Sequence, residues 1–464
     1  MGSTTLTFLG AAGTVTGSKF LLTLDQGEPS ERRILVASGL FQGERRLRRL
    51  NWSDFPVPPS SISDVLLTHA HLDHCGYLPR LVRQGFTGTI WATRNTISLT
   101  SIVLRDSAFL QERDADYAAS HGYSRHRNPE PLYRIADVER TLPLLREVPF
   151  DEDVDLGAEV SAQWTHAGHI LGSASIRVTT PQGPVLFSGD IGRPTHPVLK
   201  AREVPAGAGV VLVESTYGDR EHPEPEAERH EVFADAIRRT VERGGSVLVP
   251  AFAVDRTEVV LAALAEMQAA GRIPALPIFV DSPMALASLR VYQSPDAATE
   301  LRPGLRGLRL PGLDMREVHT VEESKQLNRP HRPCLIISAS GMATGGRVLH
   351  HLEHMLPDAR HTVVLTGYQA VGTRGRALAE GATQLKMHGA HVAVVAEVVR
   401  DDEFSVHADG SDTLDWLAAL RPRPRRVFCV HGEQDAARAL AGRISTELGI
   451  AAEVPQHLMS TRVG

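Results

Sequence analysis

The sequence predicts an α/β protein in which one domain is inserted into another. Between about residues 207 and 400, short apolar segments alternate with helical patterns, which is typical of a parallel sheet with helices on both faces. Before residue 207 the chain is rich in predicted strands and in glycine, and after about residue 400 strand ends with ligand-type polar residues return. We therefore predict that 1–206 and 401–464 form one domain and that 207–400 is the insertion.

The composition limits the class of protein. The 464 residues allow two or three domains, and 42% hydrophobic with 22% charged residues is typical of a soluble globular protein. The net charge of -6 excludes a general attraction to nucleic acid or to an anionic membrane, so a local groove or metal ions would have to hold a polyanion. The three cysteines are widely spaced and predict no disulfide framework. Neither a signal peptide nor a long apolar run is recognised, which predicts a cytoplasmic protein without a membrane partner.

The elements follow in chain order. Strands are predicted at 5–9, 19–24, 33–37, 65–67 and 184–188, and helices at 78–84 and about 96–119. The glycine-rich loop 10–17 could be mistaken for a dinucleotide-binding loop, but its glycine spacing is wrong and a strand pattern follows it. In the insertion, strands are predicted at 210–213, 246–250, 278–280, 334–337 and 362–365, and helices at 226–243 and 258–268. The segments 404–409 and 427–433 then return to the first domain.

Four potential metal ligands lie within six residues, directly after the apolar run 65–67: His69, His71, Asp73 and His74. His69 and His71 are two residues apart, so on an extended segment they point the same way. Imidazole and carboxylate together suit zinc and similar divalent ions. Four ligands this close cannot all converge on one tetrahedral ion that keeps an open position, so we predict that two ions share them. The alternative is a polar loop with chance histidines.

Three further segments end a predicted strand with a ligand-type residue. His169 lies beside a glycine, where the backbone can approach an ion closely, and is preferred to the nearby His166. Asp190 follows the strand 184–188; taken alone it could equally be a turn residue or a helix cap. His431 ends the last apolar strand, and Cys429, two residues earlier, is assigned to the core.

The seven residues assemble into two predicted ligand sets. One ion would be bound by His69, His71 and His169, the other by Asp73, His74 and His431, with Asp190 bridging them. Two ions roughly 3.5–4 Å apart suit phosphoester hydrolysis, because they activate a bridging hydroxide and offset charge on the phosphoryl oxygens.

At these residues the chain resembles the metallo-β-lactamase superfamily, and later motifs narrow the resemblance to its β-CASP branch of RNA and DNA nucleases. The cluster at 69–74 indicates the superfamily but not the substrate. The branch is indicated by VESTYGDR at 213–220, PAFAV at 250–254, SGM at 340–342 with GGR at 345–347, GYQ at 367–369 with GT at 372–373, FSVHAD at 404–409 and VHGE at 430–433. The pattern is closer to the compact bacterial and archaeal relatives of the pre-mRNA 3′-end cleavage endonuclease than to RNase J.

The resemblance implies an αββα metallo-β-lactamase sandwich with an inserted β-CASP domain. It implies a zinc-dependent ribonuclease with two Zn2+ per chain, Mn2+ being the alternative, and single-stranded RNA bound in the cleft between the domains. Attack by the bridging hydroxide would leave 5′-phosphate and 3′-hydroxyl ends. The action would be that of an endonuclease, with 5′-exonuclease action as an addition, and the relatives imply a homodimer.

The family also implies roles for single residues. His407 would be the general acid and Glu214 its carboxylate partner, while Asp73 would serve catalysis as well as metal binding. A nearby carboxylate favours the imidazolium form, so a proton would be available for the leaving oxygen. Two structural alternatives stay open: Glu214 could pair with Arg220, and His407 could cap the helix that follows it.

A candidate phosphate-binding loop lies at 340–347. It follows an apolar strand and precedes a helix, so backbone amides and the helix N-terminus would favour a phosphate there. The predicted substrate-binding residues are Ser340, Gly341, Thr344, Gly346, Arg347 and, after the GT at 372–373, Arg374. A plain strand-to-helix turn is an equally good interpretation.

The chain departs from the family pattern near the metal centre. The family commonly has aspartate where this chain has Ala37, and such a group supports the metal ligands. Val406 replaces the usual alanine before His407, and Asp255 replaces the usual glycine after Val254. No predicted ligand is lost, so Ala37 bears on how tightly the metals are held.

Two other functions compete with the ribonuclease. One is a two-metal hydrolase of another ester, but an entire inserted domain is more than a small substrate requires. The other is a non-catalytic RNA-binding paralogue. Such a paralogue would be expected to lose ligands, whereas all seven ligands and both acid-base residues are present.

Overall fold

The computed structural model describes residues 3–121, 129–223, 229–305 and 307–463. The chain forms two compact units. The first consists of Met1–Gln42, Arg46–Glu221 and Val406–Gly464, and the second of Gly43–Arg45 and His222–Ser405. The unit that contains the metal-ligand cluster is therefore built from both ends of the chain.

Short strands and mostly short helices make up both units. In chain order the strands are β1 Thr4–Phe8, β2 Phe20–Leu24, β3 Arg32–Val36, β4 Ile62–Leu66, β5 Thr89–Thr93, β6 Leu145–Val148, β7 Val154–Gly157, β8 Val160–His166, β9 Ala174–Thr180, β10 Gly183–Phe187, β11 Val210–Glu214, β12 Val247–Pro250, β13 Ile278–Val280, β14 Met315–Glu317, β15 Leu335–Ser338, β16 Thr362–Leu365, β17 Gln384–Met387, β18 Ala390–Ala393, β19 Glu397–Arg400, β20 Arg426–Val430, β21 Ala451–Glu453 and β22 Ser460–Arg462. The α-helices are α1 Arg45–Leu50, α2 Leu72–Cys75, α3 Leu78–Arg83, α4 Arg94–His121, α5 Ile135–Thr141, α6 Glu231–Glu242, α7 Arg256–Ala269, α8 Pro283–Tyr292, α9 Val321–Gln326, α10 Arg347–Met355, α11 Arg374–Ala379, α12 Gly410–Ala419 and α13 Gln434–Arg443.

Two sheets packed face to face form the first unit. One has the strand order β22-β1-β2-β3-β4-β5-β6 and the other β21-β20-β11-β10-β9-β8-β7. A continuous buried core joins them, with Leu22 and Val36 from the first sheet and Trp164 and Ile176 from the second. Helix α4 packs on β5 and β6, and α13 packs on β20. The layers are helix, sheet, sheet and helix, which confirms the predicted fold class.

The local sequence explains how the strands are layered. In β1, Thr4, Leu6 and Phe8 are buried while the alternating Thr5 and Thr7 are partly exposed, as expected for a strand with one face on the core. β10, β11 and β20 run parallel to one another, and β11 is buried throughout because both of its faces are covered. The carboxyl ends of these three strands meet at one edge of the sheet, where polar residues follow.

A six-stranded sheet forms the centre of the second unit. Its order is β14-β13-β15-β12-β16-β19, and every neighbouring pair is parallel. The two remaining strands of this unit, β17 and β18, form a separate antiparallel hairpin. The alternating strand and helix pattern of the insertion thus gives the parallel sheet that it predicts.

The observed units differ from the predicted domains mainly at the first boundary. A boundary at 206/207 places β11 in the insertion, whereas β11 pairs with β10 and β20 of the first unit, which extends to Glu221. Like the strands of the insertion, β11 is followed by a helical pattern, which led to the predicted boundary. The local pattern does not reveal which distant strands pair with β11. The helix predicted at 226–243 is α6, which begins at Glu231; residues 226–228 lie outside the described residues.

Among the described residues, no helix combines the length and the apolar character needed to cross a bilayer.

Candidate metal centre

Strand ends deliver the predicted ligands to one edge of the first unit. His69 lies three residues after β4, His169 three residues after β8 and Asp190 three residues after β10. His431 directly follows β20. His71, Asp73 and His74 lie at the start of the short helix α2, so a tight turn brings them back beside His69. All seven predicted ligands therefore meet within one unit.

The first predicted ligand set is tightly packed. The donor atoms of His69, His71, His169 and Asp190 all lie within 4.8 Å of one another. The closest pair is Nε2 of His169 and Nδ1 of His71, at 3.3 Å. His69 and His169 are fully buried, whereas His71 is partly exposed at the mouth of the site. The four side chains therefore surround a common point with one accessible side.

The second set lies directly beside the first. The donor atoms of Asp73, His74 and His431 also lie within 4.8 Å of one another. Nε2 of His431 is 3.1 Å from Oδ2 of Asp73, and Nε2 of His74 is 3.8 Å from the same oxygen. The structure thus groups these seven residues as the sequence predicts.

Asp190 faces both sets with different oxygens. Its Oδ2 lies 3.4 Å from Nε2 of His69 and 3.6 Å from Nε2 of His169. Its Oδ1 lies 3.2 Å from Nε2 of His74 and 3.6 Å from Nδ1 of His431. A carboxylate oriented in this way can bridge two ions.

The chemistry of the donor set fits divalent metal ions. Nε2 of His69, the nitrogen that faces Asp190, is buried and has no hydrogen-bond partner among the described residues. Burial lowers the pKa of His69 and of His169 well below the ordinary value, so both imidazoles are neutral and carry a lone pair at physiological pH. Such an arrangement of buried polar atoms is costly by itself and is satisfied by coordination to metal.

The charged members of the cluster balance one another. The pKa of Asp190 lies well below its usual range, because His431, His74 and His69 together outweigh the effect of its burial. Burial lowers the pKa of His431, but the carboxylates of Asp190 and Asp73 overcome this effect and raise it to about 9. The centre therefore concentrates anionic oxygen at the position where cations would bind.

Hydroxyl groups that the sequence analysis missed orient the ligands. Oγ1 of Thr68 lies 3.2 Å from Nδ1 of His69 and 3.3 Å from Nδ1 of His74. Oγ of Ser18 lies 3.3 Å from Nε2 of His74. The Thr68 contacts are to Nδ1, opposite the nitrogen that faces Asp190, and hydrogen bonds of this kind fix the ring orientation and tautomer of a ligand histidine; the Ser18 contact is to the nitrogen of His74 that also faces Asp190.

The predicted acid-base pair forms next to the ligand sets. Nδ1 of His407 is 3.0 Å from Oε2 of Glu214, and the His407 ring lies 4.3 Å from that of His169, between ring centroids. Burial lowers the pKa of His407, but Glu214 outweighs it, so the pKa is raised above the ordinary value. Glu214 also accepts hydrogen bonds from the Ile191 amide and from the Thr216 hydroxyl, at 2.5 Å and 2.6 Å.

Both structural alternatives for this pair disagree with the geometry. Arg220 forms its salt bridge with Asp219, at 2.8 Å, while Glu214 faces His407. The side chain that caps α12 is that of Asp409, which accepts from the Asp412 amide. His407 therefore presents its imidazole to the ligand sets and does not serve as the helix cap.

A small cavity lies beside Ala37. It has a volume of about 20 Å³, and its lining includes Ala37, Thr68, His74 and Asp190. A volume of this size accommodates roughly one water molecule. Ala37 and His74 both line this space, so we expect a longer side chain at position 37 to enter it.

Two residues near the ligands have other contacts. His166 is buried at the end of β8, where its ring contacts that of Phe150 at 5.6 Å. Cys429 is buried in the core of the second sheet, as the sequence predicts. Neither belongs to a group of potential ligands among the described residues.

The predicted substrate-binding residues lie in the second unit. Oγ of Ser340 accepts from the Thr344 amide at 2.9 Å, and Gly346, with φ of 81°, precedes α10. Gly341 is buried against Phe252, where a β-carbon would lie 2.7 Å from ring and backbone atoms. The loop 340–347 is therefore a tight turn into the helix.

The two predicted arginines are already engaged within the second unit. Nη1 of Arg347 donates to Oδ1 of Asp281 at 2.6 Å, and Nη2 donates to the His319 carbonyl at 2.9 Å. Nε of Arg374 donates to the Lys386 carbonyl at 2.9 Å. These contacts fix both guanidinium groups and leave fewer donors for a phosphate than the sequence suggests.

Family models match three stretches of the chain. Residues 28–251 match the metallo-beta-lactamase superfamily, residues 257–378 the Beta-Casp domain, and residues 391–455 the Zn-dependent metallo-hydrolase RNA specificity domain. The first and third stretches contain all seven predicted ligands together with Glu214 and His407.

Several proteins of known sequence are similar over most of the chain. Ribonuclease TTHA0252 of Thermus thermophilus is 37% identical over 437 residues, which cover 93% of this chain and 94% of that protein. Transcription termination factor FttA of Pyrococcus horikoshii is 31% identical over 421 residues, covering 86% of this chain and 61% of FttA. An RNase J-like protein of Methanocaldococcus jannaschii is 29% identical over 402 residues, which cover 86% of this chain and 88% of that protein.

A solved structure shares the fold. A protein of unknown function from Enterococcus faecalis V583 aligns with a TM-score of 0.52 and 14% sequence identity, covering 99% of this chain and 100% of that one. At this identity the similarity concerns the fold alone.

Proposed function

The chain belongs to the β-CASP ribonuclease branch of the metallo-β-lactamase superfamily, as a metal-dependent hydrolase that acts on RNA, and from this premise we propose its mechanism. We propose that it binds two zinc ions and hydrolyses phosphodiester bonds of single-stranded RNA as an endonuclease. The products would carry 5′-phosphate and 3′-hydroxyl ends. 5′-exonuclease action would require the same centre and is included in the proposal.

The orientation of Asp190 carries the two-ion part of the proposal. One of its oxygens faces His69 and His169 at 3.4 Å and 3.6 Å, and the other faces His74 and His431 at 3.2 Å and 3.6 Å. A site for one ion would need only one of these oxygens. Divalent ions at such paired sites activate water and offset negative charge on phosphoryl oxygens.

The protein's own residues complete the chemistry. Thr68 holds two ligand rings in place, and Glu214 accepts a hydrogen bond from Nδ1 of His407. The opposite nitrogen, Nε2, can then donate a proton to the oxygen that leaves the scissile phosphorus. Glu214 is itself fixed by the Ile191 amide and by Thr216, so the imidazole is oriented before substrate binds.

We propose that the loop 340–347 of the second unit contacts an RNA phosphate. Ser340 and Thr344 are hydrogen-bonded to each other at the loop tip, and the loop leads into α10. Gly341 and Gly346 shape the backbone of this loop. Because Arg347 and Arg374 are held by Asp281 and by the Lys386 carbonyl, we propose that they position the loop more than they bind phosphate directly.

The replacement of His407 by alanine tests the proposed function. Purified His407→Ala should retain the metal content of the wild type but lose about 10²- to 10⁴-fold in the rate of RNA cleavage, because the general acid is removed. Glu214→Gln should lose rate in the same direction. The exposed His319, which pairs with Glu317 in the second unit, gives the control His319→Ala, expected to cleave like the wild type. Unchanged cleavage by His407→Ala would show that another group protonates the leaving oxygen.

A further inference from the structure

Three metal-ligand side chains lie together on the surface of the second unit. His350 and Glu353 belong to α10, and His388 belongs to the turn between β17 and β18. One donor atom from each lies within 4.8 Å of the others. Nδ1 of His388 is 2.9 Å from Oε2 of Glu353, and the rings of His350 and His388 stack with centroids 4.6 Å apart. We refer to these three residues as the hairpin cluster.

The backbone beneath the hairpin cluster is fixed by packing. His350 and Glu353 are three residues apart on a helix and therefore project from the same face. Leu385 and Met387 of the hairpin and Leu352 and Met355 of α10 are buried in one common core. The helix and the hairpin therefore hold the backbone positions of the three residues at a constant spacing.

The turn at position 388 permits histidine but does not require it. His388 and Gly389 connect β17 and β18 directly, and both have positive φ, 45° and 84°. A two-residue hairpin turn of this kind favours Asn-Gly or Asp-Gly, because asparagine and aspartate adopt positive φ most readily. Histidine also adopts positive φ more often than most residues, so the turn permits it, and at this position its imidazole lies against Glu353.

We propose that the hairpin cluster binds a divalent metal ion of the zinc class. Two imidazoles and one carboxylate form a common ligand set for zinc, and water can occupy the remaining position. Two ligands that lie about 2.0–2.1 Å from one tetrahedral ion are roughly 3.3 Å apart from each other. His388 and Glu353, at 2.9 Å, need to separate by only a few tenths of an ångström, and the exposed ring of His350 can complete the site by side-chain rotation.

Occupancy of this site would connect the hairpin to α10. The hairpin also supplies the Lys386 carbonyl that holds Nε of Arg374 at 2.9 Å. A bound ion would therefore slow the opening of the hairpin and restrain a residue next to the loop 340–347. This site stands on its own geometry and does not depend on the proposed ribonuclease mechanism.

Zinc binding by matched variants tests the proposal. The full-length protein would be dialysed against micromolar zinc chloride, and bound zinc per chain would be measured by elemental analysis. His388→Asn keeps the turn, because asparagine suits its backbone, and should bind one zinc fewer than the wild type. His350→Ala should do the same. His354→Ala removes an exposed histidine of the same helix whose Nδ1 lies 2.8 Å from the backbone carbonyl of His350; it leaves the three cluster side chains in place and should bind as much zinc as the wild type.

Hydrogen exchange provides a second, local measurement. Zinc should slow amide exchange at 384–393 in the wild type and in His354→Ala, but not in His388→Asn. The centre of the first unit is the same in every variant, so the difference of one equivalent reports on the hairpin cluster alone. Equal zinc content in all variants at micromolar zinc, with unchanged exchange of the hairpin, would overturn the proposal.

Discussion

Single hydroxyl groups and small side chains determine how the ligands of the metal centre are held. Thr68 contacts the Nδ1 atoms of His69 and His74 at 3.2 Å and 3.3 Å, so one threonine orients two ligands. Ala37 lines the same cavity of about 20 Å³ as Thr68 and His74. Its methyl group contributes no hydrogen bond to the ligands. The support of the ligands therefore rests more on Thr68 than it would with an aspartate at position 37.

Restoring a carboxylate at position 37 should strengthen metal binding. Ala37 has φ of 58°, a conformation that aspartate tolerates better than alanine, and the cavity beside it reaches His74. We expect Ala37→Asp to bind zinc up to about 10-fold more tightly in competition with a chelator. Ala37→Asn, which has the same shape without the charge, is the control. Weaker binding by the aspartate variant would show that the centre has adapted to alanine.

A second departure from the family pattern is explained by the backbone. Asp255 has φ of 70°, so the position favours the glycine that the family commonly has there. Oδ1 of Asp255 accepts a hydrogen bond from the Tyr292 hydroxyl at 2.8 Å, which stabilises the aspartate. The nearby Glu258 is fully buried, and burial, followed by the charge of Asp255, raises its pKa well above the ordinary value of 4.5.

Glu258 should make stability depend on pH. Because its pKa is higher in the folded than in the unfolded state, its contribution is fully present below about pH 4.5 and is lost as the pH rises toward the folded-state pKa. The slope for one proton is at most about 1.4 kcal/mol per pH unit. Glu258→Gln should thus gain in melting temperature over the wild type at pH 8, and gain less at pH 5. Glu266→Gln, at an exposed position of the same helix, is the control. An equal difference in melting temperature between Glu258→Gln and the wild type at both pH values would refute the assignment.

At the scale of the elements, strand ends and the turns after them form the site. The sequence could predict the candidate ligands because each segment that carries them follows an apolar run at the end of a strand. It could not predict the partner of β11, since pairing with β10 and β20 depends on segments far apart in the chain. Two side-chain contacts could not be predicted for the same reason. Ser18 and His74 are 56 residues apart in sequence, and Asp281 and Arg347 are 66 residues apart.

The turn after β10 gives a test at this scale. Gly189 has φ of 59°, and a β-carbon there would lie 2.9 Å from the Ala174 carbonyl oxygen and 3.0 Å from Cβ of Thr68. Gly189→Ala should displace Asp190 and lower the metal content after dialysis. The control is Gly449→Ala. Gly449 has φ of 65°, so alanine there has a similar backbone strain of about 1–2 kcal/mol, but its β-carbon would have no atom within 4 Å and would not clash. Equal metal loss in both variants would mean that strain alone is responsible.

At the scale of the whole molecule, the chain places its complete metal-ligand set in one unit and its candidate phosphate loop in the other. The first unit is made from both ends of the chain. His407 and His431 therefore follow the inserted unit in sequence but belong to the first unit in the fold. This arrangement agrees with the three matched family models, which follow one another along the chain. The homodimer stays a prediction.

The ends of the RNA products test the central claim most directly. End-labelled single-stranded RNA would be cleaved by the purified protein with and without a chelator, and the termini would be mapped. The two-metal mechanism predicts 5′-phosphate and 3′-hydroxyl ends, no cleavage in the chelator and recovery on addition of zinc. A 2′,3′-cyclic phosphate or 3′-phosphate end, or cleavage that persists in the chelator, would contradict it.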